Sequence, residues 1–388
     1  MSQRIPTGPE RQQQIYQAGA MGRKPTIPLS YSDLEALAKS KLPQEAYDYV
    51  AGGAGSENTM ATNLAAFDRW RIVPRMMRNV ERRDMAVELG GRNMPAPILL
   101  APVGVLGIVH PDAELAVARA CKALGLTMIL STLSSFTLEN VAELAAHRWF
   151  QLYWSNDQDI AASMVARAEA AGFEALVVTL DTPIIGWRER DLQNAYLPFL
   201  QGKGLANYFT DPAFLKPLSK SPEEELLPAV MRFAQVFGNT ALTWSDLAFL
   251  RGRTKLPIWV KGIQAEEDAR LAIDHGANGI IVSNHGGRQV DGAIGSLTAL
   301  PPIVEAVKDR VPILFDSGIR RGADIFKAVA LGANAVLVGR PYTWGLAVGG
   351  ETGVREVLLN LICDLDLTMG LSGCATLRDV KADRLHAV

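Results

Sequence analysis

The chain is poor in cysteine and histidine. Its three cysteines, Cys121, Cys363 and Cys374, show no C-x-x-C spacing, and no two of its five histidines stand at metal-ligand spacing. An odd, scattered set of cysteines argues against a disulfide framework and against a structural zinc site, and it favours a reducing compartment. No G-x-S-x-G segment is present to form a nucleophile elbow.

Excess charge and long apolar runs are also missing. The formal net charge is -2, and Lys and Arg are scattered, which argues against a nucleic-acid binder. The first 25 residues are polar and lack the apolar core of a signal peptide. The apolar run 96–109 is broken by prolines and glycines and is too short to span a bilayer. We therefore expect a cytoplasmic protein with no membrane or nucleic-acid partner.

A nicotinamide Rossmann site is not supported either. No G-x-G-x-x-G opens a helix after a strand, and the glycine-rich stretch 51–56 (AGGAGS) follows a predicted helix at 41–51 instead.

What the chain does have is a series of short apolar runs rich in Val, Ile and Leu, typical of strands buried on both faces of a parallel sheet. Amphipathic stretches between them predict helices, for example at 112–124, 158–171, 265–275 and 323–331. The eight predicted strands lie near 97–101, 127–132, 149–154, 175–181, 257–262, 279–284, 312–318 and 335–341.

A faint internal repeat supports alternating strands and helices. In AGFEALVVT, HGANGIIVS and LGANAVLVG, the glycines Gly172, Gly276 and Gly332 follow a helix, where a left-handed cap favours glycine, and a strand starts shortly after. Eight β-then-α units predict an α/β fold, a single (β/α)8 barrel of about 97–388 within one domain, 1–388. An open doubly wound sheet is the alternative.

Two segments depart from the compact repeat. Residues 1–95 form an N-terminal extension whose predicted helix, 41–51, could cap the mouth or the bottom of the barrel. About 75 residues separate predicted strands four and five, and on a barrel such a loop sits at the carboxyl-end mouth. We interpret residues of about 189–250 as an active-site lid.

The loops after strands seven and eight are the usual phosphate site of these barrels. They read DSGIRRG and VGRP, so that glycine amides, Arg320, Arg340 and the N-terminus of a helix from Gly322 could bind a phosphate. Ordinary ion pairs at the barrel mouth are the alternative for these arginines.

Reactive side chains collect where the other strands end. Strand six ends in SNHGGRQ, where His285 can take a proton near neutral pH and Arg288 can hold a carboxylate. Asp181, at the end of strand four, could orient the imidazole; a turn-capping carboxylate before Pro183 is the alternative. Topology places Lys261, at the end of strand five, nearby.

Taken together, SNHGGRQ, FQLY, TLDTP, VKGI, DSGIRRG and VGRP resemble the FMN-dependent 2-hydroxy-acid oxidising family, which includes glycolate oxidase, lactate oxidase and lactate monooxygenase. The resemblance runs from about residue 28 to 378. It implies FMN as cofactor, a small 2-hydroxy acid and oxygen as reactants, and a homo-oligomer, a tetramer or octamer.

The resemblance also implies a role for each matching residue. His285 would be the base, paired with Asp181, and Lys261 would stabilise negative charge on the reduced flavin. The substrate would be held by Tyr49, Tyr153, Arg188, His285 and Arg288. The cofactor would be held by Val103, Gly104, Ser131, Gln151, Thr179, Lys261, Ser283, Asp316, Gly318, Arg320, Gly339 and Arg340.

Some segments are most similar to lactate monooxygenase, among them IGWRERDL, LPFLQGKGLANYFTDPAF and GRPYTWG. Gly104 stands where oxidases of the family often have alanine, and Leu133 and Ile185 would form an aliphatic pocket. We expect oxidation of L-lactate with decarboxylation to acetate. Three alternatives stay open: an oxidase that releases keto acid and peroxide, a quinone- or protein-linked dehydrogenase, and a barrel that binds a phosphorylated ligand without redox activity.

Overall fold

A computed structural model describes residues 4–388; residues 1–3, which the predicted single domain includes, lie outside the described part. Eight parallel strands close into a barrel in chain order, and the last pairs with the first, with Val338 opposite Leu100. The predicted (β/α)8 barrel is therefore confirmed, and the open sheet is excluded. The strands are β1 (Ile98–Leu100), β2 (Thr127–Ser131), β3 (Arg148–Tyr153), β4 (Leu176–Thr179), β5 (Ile258–Ile263), β6 (Gly279–Val282), β7 (Ile313–Phe315) and β8 (Ala335–Val338).

The barrel interior is a packed core rather than a pore. Trp149 and Trp259 stack inside it, with ring centroids 4.9 Å apart. A Cβ on Gly279 would lie 2.1 Å from the Trp259 ring, so only glycine leaves room for this indole. The antiparallel hairpin Val87–Leu89 and Arg92–Met94 packs Leu89 and Met94 against the same cluster.

Helices surround the strands, and the four predicted examples are observed within one residue of their expected ends. Gly172, Gly276 and Gly332 follow their helices with φ of 72°, 88° and 107°, as the repeat predicted. No helix within residues 4–388 combines the length and the apolar character needed to cross a membrane. The barrel helices are Ala113–Leu124, Leu138–Leu144, Gln158–Ala170, Glu266–Asp274, Ser296–Val307, Gly322–Ala330 and Arg340–Leu371, the last kinked at Gly349 and Gly350.

The N-terminal extension contains four helices, Gly8–Ala20, Tyr31–Lys41, Gln44–Ala51 and Asn58–Asp68. The single helix predicted at 41–51 is wrong at its start. One helix ends at Lys41 and another begins after Pro43, because the residue before a proline avoids the helical region. Tyr49 lines the cavity at the carboxyl ends of the strands, so the Gln44–Ala51 helix lies at the mouth and not at the bottom of the barrel.

The insertion between β4 and β5 consists of short helices fastened to barrel loops. Asn207 anchors it, since its amide donates to the carbonyl of Thr132 at 3.0 Å and its Oδ1 accepts from the amide of Leu138 at 2.8 Å. The α-helices of the insertion are Glu189–Gln193, Ala206–Phe209, Pro212–Leu215, Leu226–Val236 and Leu247–Arg251. Outside the barrel, the short strands Trp70–Ile72 and Leu385–Ala387 pair antiparallel.

Candidate active site

A cavity of about 1120 Å³, including its open mouth, lies at the carboxyl ends of the barrel strands. Gln151, Thr179, Asp181 and Ser283 do not line the cavity but lie directly behind its wall. The predicted site residues that line it are Tyr49, Val103, Gly104, Ser131, Tyr153, Arg188, Lys261, His285, Arg288, Asp316, Gly318, Arg320, Gly339 and Arg340.

His285 is held in one orientation by its neighbours. Its Nδ1 lies 2.8 Å from Oδ1 of Asp181, and its Nε2 lies 3.5 Å from the hydroxyl of Tyr153. The residue follows β6 with φ of 57°, a left-handed conformation that is unusual outside glycine. Burial lowers the pKa of His285, and Lys261 lowers it further, whereas Asp181 raises it; the net shift is downward. The imidazole is therefore neutral at neutral pH, with its Nε2 lone pair directed toward the cavity.

Lys261 is a buried cation between two carboxylates. Its Nζ donates to Oγ of Ser283 at 2.9 Å and lies 3.7 Å from Asp181 and 3.5 Å from Asp316. Burial opposes ionisation of Asp181, but the charge of Lys261 and the hydrogen bond with His285 outweigh it and lower the pKa of Asp181 to about 2. The two carboxylates likewise raise the pKa of Lys261 against its own burial. This cluster fixes a positive charge beside His285.

Two arginines bring positive charge to the same part of the cavity. Arg288 uses Nη1 to donate to the carbonyls of Tyr49 at 2.6 Å and Gly52 at 2.8 Å, which leaves Nε and Nη2 for a ligand. Burial, reinforced by Arg188, lowers the pKa of Arg288 to about 9. Arg188 is buried and donates to the carbonyl of Arg288 and to Oε1 of Gln289. A carboxylate bound here would relieve the repulsion between the two guanidinium groups.

Along β2 to β4, three polar side chains form a chain of hydrogen bonds that begins at the cavity wall and continues behind it. Ser131 Oγ donates to Oε1 of Gln151 at 3.0 Å, and Nε2 of Gln151 donates to Oγ1 of Thr179 at 2.8 Å. All three are buried. The structure thus brings the three predicted residues together as one network.

The phosphate end of the cavity fits an anion. The amides of Gly318, Ile319 and Gly339 line the cavity and donate to no acceptor within residues 4–388. Nε of Arg320 is buried without a partner there, while the guanidinium of Arg320 stacks 4.2 Å from the ring centroid of Tyr31. These unpartnered donors fit the phosphate of FMN.

Three amides at the start of the helix from Gly322, which was predicted to contribute to the phosphate site, already have acceptors. The amides of Arg320 and Arg321 donate to Asp324, and the amide of Gly322 donates to Asp364. These carboxylates already neutralise the positive end of the helix Gly322–Ala330, so a phosphate would depend on the preceding loop instead.

Arg340 lies where it can bind a ligand, and it also holds neighbouring loops together. It lines the cavity, yet it donates to the carbonyls of Val50, Gly52 and Gly286 at 2.9–3.0 Å. Burial lowers its pKa to about 10. Nη2 of Arg340 also donates to Sδ of Met60 at 3.5 Å. Because a guanidinium has five N–H groups, one remains for a ligand.

Several cavity residues escaped the sequence analysis. Phe199 and Phe237 reach the cavity from the insertion, and Phe237 packs 5.4 Å from the ring of Tyr153. Thr182 lies 3.3 Å from Nδ1 of His285, and Ser317 accepts the amide of Gly286 at 3.0 Å. Thr182 directly follows the predicted site residue Asp181 in the TLDTP segment. That adjacency could have identified Thr182 from the sequence.

Comparisons with known proteins agree with this geometry. A family described as FMN-dependent dehydrogenase matches residues 38–387. L-lactate oxidase of Lysinibacillus sphaericus is 46% identical, with 92% of each chain covered, and glycolate oxidase of Spinacia oleracea is 42% identical, with 92% of this chain and 95% of that one covered. A crystal structure of mandelate oxidase with (S)-4-hydroxymandelic acid superposes with a TM-score of 0.83 at 41% identity, covering 93% of this chain and 99% of that one. The chain belongs to the FMN-dependent dehydrogenase family and is an FMN-dependent 2-hydroxy-acid oxidoreductase.

Proposed function

We propose that this chain oxidises L-lactate with oxygen as the acceptor and releases acetate, carbon dioxide and water. The observation that carries the proposal is a neutral imidazole, fixed by Asp181, that faces a cavity lined by the buried Arg188 and the partly buried Arg288. A base beside paired cations suits a substrate with a carboxylate next to a hydroxyl-bearing carbon.

The side chains divide the work as follows. Arg288 and Arg188 hold the carboxylate, and the fork of Arg288 sets its orientation. Nε2 of His285 receives one proton from the substrate, and Asp181 stabilises the imidazolium that forms. Burial raises the pKa of Tyr153 to about 12, so its hydroxyl stays protonated and can donate to a substrate oxygen. When bound, FMN supplies a two-electron acceptor, and the charge of Lys261 favours the reduced form.

The side-chain pocket supports a small substrate. Leu133 and Ile185 line the cavity together with Phe199 and Phe237, so an apolar wall faces the space left for the substrate side chain. A methyl group fits this wall, as does a somewhat larger apolar group. The 46% identity to an L-lactate oxidase supports lactate as the substrate.

Gly104 supports the decarboxylating outcome. A Cβ on Gly104 would lie 2.9 Å from the carbonyl oxygen of Leu133 and 3.4 Å from Oγ of Ser131. The missing methyl group therefore lets two cavity loops approach each other. We infer that this wall retains pyruvate while peroxide forms. Peroxide and pyruvate then give acetate, carbon dioxide and water, so one lactate consumes one O2.

The second candidate is an oxidase that releases pyruvate and hydrogen peroxide, and the names of the L-lactate oxidase and glycolate oxidase relatives favour it. A third is a dehydrogenase with another electron acceptor, favoured by the 42% identity to an FMN-dependent alpha-hydroxy acid dehydrogenase of Schizosaccharomyces pombe.

A product balance tests the proposal. Purified holoenzyme is given L-lactate in air while oxygen, peroxide, pyruvate and acetate are followed together. Acetate equal to the oxygen consumed, without peroxide, supports the proposal. Peroxide and pyruvate equal to the oxygen consumed would establish the oxidase instead, and slow oxygen uptake with fast dye reduction would establish the dehydrogenase.

We also propose that the segment of about 189–250 is a lid. Phe199 lines the cavity and Asn207 fastens the segment to the loop after β2, so the insertion lies over the mouth. The cytoplasmic location and the tetramer or octamer stay predictions.

A further inference from the structure

One buried carboxylate lies outside the cavity and takes no part in the mechanism above. Glu114 belongs to the first turn of the helix Ala113–Leu124 and is 1% exposed. Its Oε1 accepts the amide of Ser135 at 3.0 Å and the amide of Leu106 at 3.4 Å. Its Oε2 is buried without a hydrogen-bond partner within residues 4–388. Burial raises the pKa of Glu114 to about 7, because it disfavours the ionised carboxylate.

The two amides that Glu114 binds belong to different loops. Leu106 follows β1 and Ser135 follows β2, and the loops are joined directly as well. The amide of Val105 donates to the carbonyl of Leu133 at 2.7 Å, and the amide of Gly107 donates to Oγ of Ser135 at 2.9 Å. Glu114 is the acceptor that holds both loops from behind.

These loops form one wall of the cofactor cavity. Val103, Gly104 and Leu133 line the cavity. Val103 and Gly104 lie within three residues of Leu106, and Leu133 lies two residues before Ser135. Val105 has φ of 58°, so the backbone turns sharply between the wall and Leu106. A shift of Leu106 or Ser135 would therefore move the wall at Gly104 and Leu133.

We propose that Glu114 is a positioning residue, which sets the separation between the Gly104 and Leu133 walls of the FMN cavity by accepting the Leu106 and Ser135 amides. The part of this inference that concerns FMN binding rests on the family assignment. The part that concerns the fate of pyruvate rests on the proposed function.

Three variants test it. Glu114→Ala removes the acceptor, Glu114→Gln keeps an oxygen for both amides, and Asp366→Ala is the matched control. Asp366 is also a buried carboxylate; it accepts the amide of Gly8 at 2.7 Å and lies outside the residues that line the cavity. The readouts are the FMN dissociation constant of the apoprotein, the visible spectrum of bound flavin, and the ratio of acetate to pyruvate.

We expect Glu114→Ala to weaken FMN binding about tenfold, or about 1.4 kcal/mol, to shift the flavin spectrum and to change the product ratio. Glu114→Gln should restore FMN binding to within about threefold of the parent. Asp366→Ala should lower the melting temperature and leave both flavin readouts unchanged.

A lower melting temperature for Glu114→Ala with unchanged FMN binding and spectrum would overturn the proposal, and so would equal defects in the Ala and Gln variants. If Glu114→Ala does not fold, Glu114→Asp takes its place, because it keeps a carboxyl group but withdraws its oxygen from the amides. Unchanged flavin readouts in that variant would also overturn the proposal. FMN binding does not depend on lactate, so a parent protein that fails to oxidise lactate would refute the proposed function and leave this test intact.

Discussion

Nδ1 of His285 lies 2.8 Å from Oδ1 of Asp181, and Nε2 of the same ring lies 3.5 Å from the hydroxyl of Tyr153. A carboxylate at Nδ1 favours the tautomer with its proton on that nitrogen, which leaves the Nε2 lone pair free. Asp181 keeps its charge in this buried place because Lys261 lies 3.7 Å from Oδ2. The base, its orienting carboxylate and the cation that supports the carboxylate thus form one unit.

Replacement of Asp181 by Asn tests the orientation of the imidazole. The amide favours the wrong tautomer and cannot stabilise imidazolium, so we expect flavin reduction by L-lactate to slow by about 1000-fold or more. Anaerobic stopped-flow absorbance measures this rate. Thr182→Val is the control: it removes a neutral hydroxyl 3.0 Å from the same carboxylate, and the loss should be about tenfold or less. A small effect of Asp181→Asn would show that the carboxylate is dispensable.

The pH dependence of kcat/KM should show an acid limb from His285. Its pKa is lowered from the model-compound value of 6.5, so the neutral base persists below pH 6.5 and is lost as the pH falls through the lower folded value. The same shift makes folding weaker in that direction, since the unfolded chain takes up the proton first. Asp181, with its pKa lowered to about 2, stays ionised throughout. An acid limb centred above pH 6.5 in the free enzyme would contradict the buried neutral imidazole.

Lys261→Met should lower the free energy of unfolding as well as the activity. Removal of the buried cation leaves Asp181 and Asp316 without their shared partner, and such a loss typically costs about 3–5 kcal/mol. Chemical denaturation of the variant measures it. In contrast, Lys220→Met breaks an exposed pair with Glu225 and should change the free energy of unfolding by about 0–1 kcal/mol. Equal stability of the two variants would show that Lys261 is not the charge that holds the cluster.

Gly104→Ala should shift the products toward pyruvate and peroxide. The added methyl group would meet the Leu133 carbonyl at 2.9 Å, so one of the two loops must move by a few tenths of an ångström. Oxygen uptake with simultaneous peroxide and acetate assays gives the ratio. Gly19→Ala serves as a control in the helix Gly8–Ala20, outside the cavity, where a new Cβ meets no atom within 4 Å. An unchanged ratio in Gly104→Ala would remove Gly104 from the account of decarboxylation.

Sequence patterns were sufficient to predict the barrel and to bring much of the candidate site together. Buried apolar runs mark strands, and a parallel barrel brings all strand ends to one face, so residues as distant as Asp181 and His285 could be placed together without a known contact. All the strands except β5 end earlier than predicted, however. β4 ends at Thr179 and β8 ends at Val338, so Asp181 and Gly339 lie in the loops that follow.

The parts that escaped prediction depend on tertiary contacts. Phe199 and Phe237 come from the irregular insertion, where no periodicity indicates which side chain faces the cavity. Asp364 lies in the last long helix and reaches the amide of Gly322 only because the two helices pack together. Nothing local to the sequence indicates that Arg340 donates to two carbonyls of the N-terminal extension and to the carbonyl of Gly286 after β6.

The role of His285 as the base is the central claim, and anaerobic reduction of the bound flavin by L-lactate in His285→Gln tests it most directly. FMN content is measured first, so that loss of cofactor is separated from loss of chemistry, and His147→Gln, a surface histidine paired with Glu174, is the control. We predict full FMN content with reduction slowed by about 100- to 10,000-fold in His285→Gln and an unchanged rate in the control. Reduction at the parent rate in a fully loaded His285→Gln protein would contradict the assignment.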